Sequence, residues 1–265
     1  MKIKTRAKLN LYLKVLGKIS DGYHEINTVM SEFDWGDYIY IEKSEFDSFQ
    51  SNMITEGENL VEKALRVLRE HTFVPSVSIK LEKLTPVGSG LGTGSSDAAE
   101  VLKGLNKLFY LGLTNTNLCE IASKIGMDVP FFIDGGIQLA TGRGDILKKL
   151  PGKKTNALVV MDEPVISKNI YSLLNEEDFL SDNKNTLLNP VIRNYGAVRN
   201  FYYSLLEFDK NFSMTGAGGA FFVVGEKNYL SELEKKVVYK LNPKFIHKSE
   251  ILLPEVDYGE IIFNT

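Results

Sequence analysis

Alternating polar and apolar residues open the chain. The segment from Lys4 to Val15 is predicted to be a β-strand, because every second position from Ala7 to Val15 is apolar and a period of two is typical of a strand. The apolar positions are Leu9, Leu11, Leu13 and Val15, and the positions between them carry Lys8, Asn10, Tyr12 and Lys14. On an isolated strand we expect this polar face to contact water. The alternative is that Lys8 lines a cleft and offers positive charge to a phosphoryl group.

The same patterns predict the other elements of the chain. Apolar alternation or short apolar runs predict strands over 38–41, 77–81, 137–140 paired with 146–147, 157–161, 221–224 and 245–252. Apolar residues at helical spacing predict helices over 60–68, 98–109, 118–125, 169–174, 198–206 and 229–241. Asn59 is the predicted cap of the first helix, and Thr116 or Asn117 that of the third. Helices covering mixed sheets in two lobes are the expected architecture, with a boundary near Leu150–Lys154.

A glycine-rich stretch lies between a predicted strand and a predicted helix. It begins at Pro86 and carries glycine at positions 88, 90, 92 and 94, and Ser95 or Ser96 is placed to cap the helix that follows. Bare backbone can bring its N–H groups close to a ligand, and the N-terminus of a helix attracts anions. The stretch therefore predicts a phosphate site, although glycines also permit an ordinary tight turn. No lysine follows Gly94, so the loop is not a P-loop, and the glycine spacing does not fit a dinucleotide-binding loop.

Composition narrows the class of protein. The formal charge of −3 gives no general attraction to nucleic acid or anionic membranes, although a local basic patch stays open. The single Cys119 excludes an internal disulfide and a cysteine-based zinc site, and its apolar neighbours predict a buried thiol. With no signal-type or membrane-spanning apolar run, we expect a cytoplasmic enzyme or binding protein.

Three further segments carry candidate chemistry. Asp128 follows Gly126 and precedes Val129-Pro130, where it is either a turn or cap residue or a carboxylate that accepts a hydroxyl proton. Tyr23 and His24 follow a turn over 20–22 and are either a surface aromatic pair or part of a site. The second glycine-rich run, 216–220, either approaches a ligand or forms a simple turn. Metal ligands cannot be identified from the spacing of acidic residues and histidines.

Several of these segments together resemble the GHMP family of small-molecule kinases. Three stretches carry the resemblance: Ala7–Leu13 (Ala-Lys-Leu-Asn-Leu-Tyr-Leu), Pro86–Ala99 and Thr215–Ala220. Two more, Asp21–Ile26 (Asp-Gly-Tyr-His-Glu-Ile) and Gly126–Phe132 (Gly-Met-Asp-Val-Pro-Phe-Phe), are similar to members whose acceptor carries cytidine diphosphate. The resemblance extends in order from Ala7 to Val224. Thr93 departs from it, since glycine is usual at that place.

The resemblance implies an α+β fold in two lobes. Residues 1–150 would form an ATP-binding lobe similar to domain 2 of ribosomal protein S5, and residues 151–265 a ferredoxin-like substrate lobe. The implied activity is ATP-dependent phosphorylation of a hydroxyl on a cytidine diphosphate-linked methylerythritol, in non-mevalonate synthesis of isoprenoid precursors. A GHMP kinase acting on mevalonate, homoserine or a sugar is the first alternative. A non-catalytic nucleotide-binding or nucleic-acid module is the second.

The resemblance also implies roles for individual residues. Lys8 and Asp128 match the catalytic pair, and Asn10, Tyr23, His24 and Tyr171 match residues that bind the acceptor, with Tyr171 stacking on the base. ATP would contact Pro86, Val87, Gly88, Ser89, Gly90, Leu91, Gly92, Thr93, Gly94, Ser95 and Ser96, with Asn59 and Lys83 near the adenine. Mg²⁺ would bridge the ATP oxygens. Neither nucleic acid nor a membrane is an expected partner.

Overall fold

The computed structural model describes residues 1–19, 22–53, 58–165 and 170–255. The predicted turn residues Ser20 and Asp21 lie outside these ranges. Contacts divide the chain into two units. The first unit comprises Met1–Ala7, Trp35–Thr85 and Gly92–Gly135, and the second comprises Lys8–Asp34, Pro86–Leu91 and Gly136–Thr265.

The elements are numbered in chain order. The strands are β1 (Lys2–Lys4), β2 (Ala7–Lys18), β3 (His24–Phe33), β4 (Tyr38–Lys43), β5 (Ser48–Ser51), β6 (Val77–Glu82), β7 (Ile137–Thr141), β8 (Ile146–Lys149), β9 (Gly152–Met161), β10 (Ser213–Met214), β11 (Ala220–Gly225) and β12 (Phe245–Pro254). The helices are α1 (Leu60–Arg69), α2 (Thr93–Phe109), α3 (Asn115–Ser123), α4 (Val129–Asp134), α5 (Glu176–Phe179), α6 (Leu188–Asn194), α7 (Gly196–Phe208) and α8 (Lys227–Leu241). Tyr171–Leu173 forms one turn of 3-10 helix.

The first unit is a sheet with helices packed on it. Its strands lie in the order β1-β4-β6-β5, and only the β5–β6 pair is parallel. Helix α2 packs close to this sheet at Gly104, where a Cβ would meet Ile3 and Ile41 at 2.7 and 2.9 Å. Asn59 caps α1 as predicted, because its Oδ1 accepts a hydrogen bond of 2.9 Å from the Val61 N–H.

The second unit contains two sheets. One has the order β2-β3-β7-β8, and it includes the predicted β7–β8 hairpin. The other has the order β10-β11-β9-β12 with antiparallel neighbours, the arrangement of a ferredoxin-like sheet with helices inserted after its first and third strands. Its core is formed by apolar residues of β9, β11, α7 and α8, among them Leu158, Val160, Phe221, Val223, Val198, Leu205, Leu230 and Val237.

The two units do not follow the predicted boundary between 150 and 151. Strands from the first half of the chain and strands from its last third pack in the same unit, and the Leu252 N–H of β12 donates to Ser31 Oγ of β3 at 3.0 Å. The division into 1–150 and 151–265 stays a prediction. Among the described residues, no helix has the length and apolar character that a bilayer crossing requires.

Several predicted element boundaries were wrong. Helix α2 is preceded by Gly92 with φ of 70°, and the N–H groups of Ser95 and Ser96 donate to its carbonyl, so neither serine is the N-cap. Helix α3 is capped by Thr114, two or three residues before the predicted caps, because a reciprocal bond with Asn117 forms there. The helix predicted over 169–174 is a single 3-10 turn, and Asn169 lies outside the described residues. Cys119 is half-buried rather than fully buried.

Candidate active site

Lys8 lies inside the second unit, on a strand whose two faces are both covered. Its side chain is 3% exposed, so the expectation of a wet face was wrong. Its ammonium donates a hydrogen bond to Asn10 Oδ1. Asn10 is held in turn, since its backbone N–H donates to Thr215 Oγ1 at 2.9 Å and its Nδ2 to Thr28 Oγ1 at 2.8 Å. The amide group of Asn10 is therefore oriented with its oxygen toward Lys8.

The first part of the glycine-rich stretch, Pro86–Leu91, packs against the second glycine run. The Gly219 N–H donates to Gly88 O at 2.9 Å, and the Ala220 N–H donates to Ser89 O at 3.1 Å. A Cβ at Gly218 would overlap the backbone nitrogen of Gly90, so the two segments touch backbone to backbone. Residues 216–220 therefore form a support for the first loop rather than a simple turn.

Lys8 borders both glycine segments of the second unit. Its backbone N–H donates to Leu91 O at 2.8 Å, and its Nζ lies 3.1 Å from the position that a Cβ would take on Gly216. Gly88 and Gly90 have φ of 72° and 82°, values that favour glycine. The second unit thus brings a buried ammonium beside two bare backbone segments, an arrangement suited to an anionic ligand.

The second part of the stretch, Gly92–Ser96, forms the beginning of α2 in the first unit. The first N–H groups of a helix have no acceptor within it, and the helix dipole makes this end attractive to anions. Ser96 Oγ accepts a hydrogen bond of 3.1 Å from the Arg6 N–H, which ties the first turn to the end of β1. Gly94 lies close to α1, because a Cβ there would contact Leu60 at 3.7 Å. Asn59 directly precedes Leu60, so the two helix starts are neighbours.

Lys83 is almost completely buried in the first unit. Its ammonium forms ion pairs with Asp37 and, at 2.9 Å, with Asp97. Burial lowers the pKa of Lys83, and the two carboxylates outweigh this and raise it above the usual value. Burial raises the pKa of Asp97 to about 7 against the opposing effect of Lys83. Sequence reasoning missed both aspartates, although Asp97 directly follows the serine pair.

Asp128 lies immediately before α4 in the first unit. It occupies the N-cap position, but its side chain makes no capping bond to the helix. The residues that follow it are buried, Phe131 and Phe132 among them, so the backbone that carries the carboxylate is anchored in the core. Asp128 is thus a turn residue at the N-cap position, as the first interpretation expected, and its role as a proton acceptor stays a prediction.

The predicted base-binding residues lie in the second unit. The ring centroids of His24 and Tyr171 are 5.5 Å apart, at an interplanar angle of 37°. Tyr23 is about half exposed, and the Arg143 guanidinium lies 5.3 Å from its ring centroid, a cation–π contact. Burial, with the charge of Lys18, lowers the pKa of His24. Arg143 lies between the strands predicted over 137–140 and 146–147, and sequence reasoning gave it no role.

Each unit therefore assembles part of the predicted set. The second brings together Lys8, Asn10 and Pro86–Leu91, and it pairs His24 with Tyr171. The first brings Asn59 near Gly94 and buries Lys83 behind the start of α2. The described ranges contain no group of three or more acidic, histidine or cysteine side chains that could enclose a metal ion.

Known proteins match this chain in sequence and in fold. The family profile described as the GHMP kinases N terminal domain matches residues 59–136. The 4-diphosphocytidyl-2-C-methyl-D-erythritol kinase of Persephonella marina is 37% identical over 259 residues, covering 88% of this chain and 93% of that protein. The enzyme of the same name from Prochlorococcus marinus strain MIT 9301 is 40% identical over 173 residues, and the chain spans 56% of its length.

A solved structure shows the same relationship. The crystal structure of a 4-(cytidine 5'-diphospho)-2C-methyl-D-erythritol kinase superposes with a TM-score of 0.81 at 27% identity, covering 95% of this chain and 99% of that one. The fold is thus that of the GHMP kinases. The chain belongs to this family and, within it, to the group of 4-diphosphocytidyl-2-C-methyl-D-erythritol kinases.

Proposed function

We propose that this protein transfers the γ-phosphoryl group of ATP to the 2-hydroxyl of 4-diphosphocytidyl-2-C-methyl-D-erythritol, a step in the non-mevalonate synthesis of isoprenoid precursors. The family membership supports a kinase. The observation that carries the acceptor assignment is the pairing of His24 with Tyr171 at 5.5 Å, because two aromatic rings suit a planar base. We place the reaction in the cytoplasm.

The proposal assigns the phosphates of ATP to backbone and to Lys8. Free N–H groups of the loop 88–96 hold the β- and γ-phosphates at the start of α2. The Lys8 ammonium, kept in place by Asn10, stabilises the charge on the γ-phosphoryl oxygens as the transfer proceeds. A buried ammonium acts more strongly than an exposed one, because water screens it less.

The acceptor hydroxyl is assigned to Asp128. The hydroxyl oxygen forms a bond to the γ-phosphorus, the bond from that phosphorus to the β,γ-bridging oxygen breaks, and ADP leaves. The hydroxyl proton passes to the Asp128 carboxylate. Since phosphoryl transfer asks little covalent chemistry of the protein, most of the rate comes from positioning and from charge stabilisation.

Mg²⁺ is the proposed metal. The ion usually keeps several waters and is held by substrate phosphates with few protein ligands, which suits a chain whose described residues form no cage of acidic side chains. The serine hydroxyls of the first turn of α2, Ser95 or Ser96, are the oxygen donors that would reach it. When bound, the ion would neutralise charge on the phosphate oxygens.

Recognition of the cytidine is assigned to four residues of the second unit. His24 hydrogen-bonds the base, Tyr171 stacks on it, and Tyr23, the chain neighbour of His24, takes part in the same recognition. Asn10 contacts the acceptor through its amide. Acceptors without a base, such as mevalonate or homoserine, have no planar ring for the His24–Tyr171 pair to bind, which argues against the other kinases of the family.

A coupled ADP-release assay tests the proposal. Purified protein with Mg·ATP should turn over the cytidyl-methylerythritol acceptor, and CMP should inhibit competitively against this acceptor. Mevalonate, homoserine and free methylerythritol serve as matched acceptors without the nucleotide. Turnover of one of these in place of the cytidyl compound would overturn the acceptor assignment, and the absence of turnover with every acceptor would overturn the kinase assignment.

A further inference from the structure

Three buried charges lie directly behind the start of α2. The side chains of Asp37, Lys83 and Asp97 are 0%, 10% and 2% exposed. Charges are rarely kept in a protein interior unless each is paired and hydrogen-bonded, because desolvation is costly. Here one ammonium serves two carboxylates, so the three groups hold one another in place.

Asp37 fixes this group to the sheet. Its Oδ1 accepts hydrogen bonds from the N–H groups of Leu84 and Thr85 at 2.7 and 2.9 Å, just beyond the end of β6. Its own backbone N–H donates to Thr5 Oγ1 at 2.8 Å, beyond the end of β1. Asp37 is therefore tied to one strand end through its carboxylate and to another through its backbone N–H, and it provides a fixed anchor for Lys83.

Lys83 joins this anchor to the first turn of α2. Its ammonium donates to Asp97 Oδ2 at 2.9 Å and to Thr93 Oγ1 at 3.3 Å. Thr93 and Asp97 are four residues apart and share one face of the helix. The Thr93 hydroxyl also bonds Thr85 Oγ1 at 2.9 Å, so this turn has two direct connections to the sheet.

The network binds the face of α2 that carries Thr93 and Asp97, and it leaves N–H groups at the N-terminus of the helix free to bind a ligand. The N–H groups of Ser95 and Ser96 donate to Gly92 O, and those of Thr93 and Gly94 have no acceptor within the helix. The direction of the axis decides where such groups point, and a misplacement of about 1 Å can cost about a hundredfold in rate. Thr93 is also where this chain departs from the glycine usual in the family, and its hydroxyl belongs to the network.

Resting on the proposed kinase function, we propose that Lys83 is a positioning residue. By bridging Asp37 and Asp97 it fixes the direction of the N-terminus of α2, and with it the N–H groups of Thr93 and Gly94, which hold phosphates of ATP in the proposed site. Thr93 acts in the same network through its hydroxyl. In this role the charge of Lys83 pairs with protein carboxylates, and Lys83 makes no contact with the adenine.

The test separates the phosphate end of the nucleotide from its base. Inorganic tripolyphosphate and adenosine are used as competitive inhibitors against ATP, with wild type, Lys83→Met and Lys83→Arg. If Lys83 positions the helix, Lys83→Met should raise the inhibition constant of tripolyphosphate by about tenfold or more and should lower kcat. The inhibition constant of adenosine and the KM of the acceptor should stay unchanged. Lys83→Arg, which keeps the charge, should restore part of the loss.

Two further variants keep the test independent of folding. Thr93→Val and Asp97→Asn each remove one connection with little change in side-chain volume. Both variants should bind tripolyphosphate more weakly and adenosine as tightly as wild type does. Lys103→Met is the matched control, because Lys103 also holds α2, through Phe132 O at 3.0 Å, but away from the first turn. It should lower stability and leave tripolyphosphate binding as in wild type.

The outcomes are distinguishable. If Lys83→Met raised the inhibition constant of adenosine and left that of tripolyphosphate unchanged, the inference would be overturned in favour of direct contact between Lys83 and the nucleoside. Unchanged values for both ligands in folded Lys83→Met, Thr93→Val and Asp97→Asn would also overturn it. A wild-type protein that binds neither ATP nor tripolyphosphate would instead refute the proposed function.

Discussion

The ring of His24, at the beginning of β3, lies 5.5 Å from the ring of Tyr171, in the 3-10 turn of the second unit. The two residues come from distant parts of the chain and meet at a tilt of 37°. An aromatic pair at this distance contributes some stability by itself. It also offers one hydrogen-bonding ring and one stacking ring to a planar ligand.

Replacing Tyr171 should weaken binding of the acceptor and leave binding of ATP unchanged. Stacking on an aromatic side chain is worth about 1–3 kcal/mol per base, so Tyr171→Ala should raise the KM of the acceptor by about fivefold to 150-fold. Tyr171→Phe keeps the ring and should stay within about threefold of wild type. Steady-state kinetics with each substrate varied in turn checks this. Equal effects of Tyr171→Ala on both KM values would contradict a role in binding the base.

The acceptor KM should depend on pH through His24. Burial and the Lys18 charge lower the pKa of this imidazole below 6.5, so the neutral ring, with one donor and one acceptor nitrogen, prevails at pH 7. As the pH falls below 6.5 toward the lowered pKa, the ring gains a proton, loses its acceptor nitrogen, and the KM of the acceptor should rise. His24→Gln should abolish this dependence. Profiles of both KM values from pH 5 to 8 decide the matter, since a His24→Gln profile identical to wild type would exclude His24 as its source.

Lys8→Met and Asp128→Asn should each lower kcat. Removing a group that stabilises transition-state charge or takes a proton typically costs about a hundredfold to ten-thousandfold. Lys14→Met is the control for Lys8, because Lys14 lies on the same strand and donates to the carbonyls of Ser181 and Asn183.

The control for Asp128 is Asp134→Asn, at the opposite end of α4, where Asp134 pairs with Asn115. Both controls should keep kcat within about twofold of wild type, since neither residue has an assigned role in the transfer. Single-turnover kinetics with saturating substrates makes the comparison. Near-normal kcat in either active-site variant would refute the role assigned to that residue.

Gly218→Ala should destabilise the second unit. A Cβ at this position would overlap the backbone of Ser89 and Gly90, and backbone cannot move aside as a side chain can. We expect a loss of about 1–3 kcal/mol in the free energy of unfolding, together with weaker ATP binding. Gly17→Ala is the matched control, because no atom lies within 4 Å of its added Cβ, and it should be neutral or slightly stabilising. Urea unfolding of both variants tests the expectation, which fails if Gly218→Ala unfolds at the wild-type midpoint.

Asp178 should make stability depend on acid pH. Burial alone raises the pKa of its carboxyl, but the Arg193 guanidinium and the Asn175 N–H outweigh this and hold it below 3.8. A lowered pKa contributes stability that is present above about pH 4 and is lost as the pH falls through the folded-state value. Asp178→Asn should therefore lower the free energy of unfolding by about 1.5–3 kcal/mol at pH 7 and by less at pH 2. Urea unfolding at both values, with Glu177→Gln as control, measures the difference.

Periodicity was sufficient for most elements of the fold. The strands β4, β6, β7 and β11 and the helices α1, α7 and α8 were predicted within a few residues, because each has either one clear apolar face or a short apolar run, and β9 begins five residues before its predicted start. Helix starts were harder. At Gly92 a left-handed backbone replaces the side-chain cap that a serine would supply, and a sequence shows serines more plainly than dihedral angles.

Buried polar residues were the part that sequence could not give. Lys8 lies at one of the polar positions of an alternating strand, a pattern that predicts exposure. It is buried in part by the backbone at Gly216, which is far away in the chain. Likewise, Asp37 and Asp97 have the composition of surface residues, and only the fold shows that both meet Lys83. The roles of His24 and Tyr171 followed from resemblance, since their spacing in the chain carries no information about a ring contact.

The backbone contact of Gly88 and Ser89 with Gly219 and Ala220 sets an order of events during synthesis. Once residue 96 has been synthesised, the nascent chain already contains every N–H group assigned to the phosphates. The segment that supports the first of these groups is still more than a hundred codons away. A nascent or prematurely terminated chain that ends before residue 219 therefore carries the whole sequence proposed to bind phosphate without these two backbone contacts, and we expect ATP to stabilise such a fragment less than the finished protein.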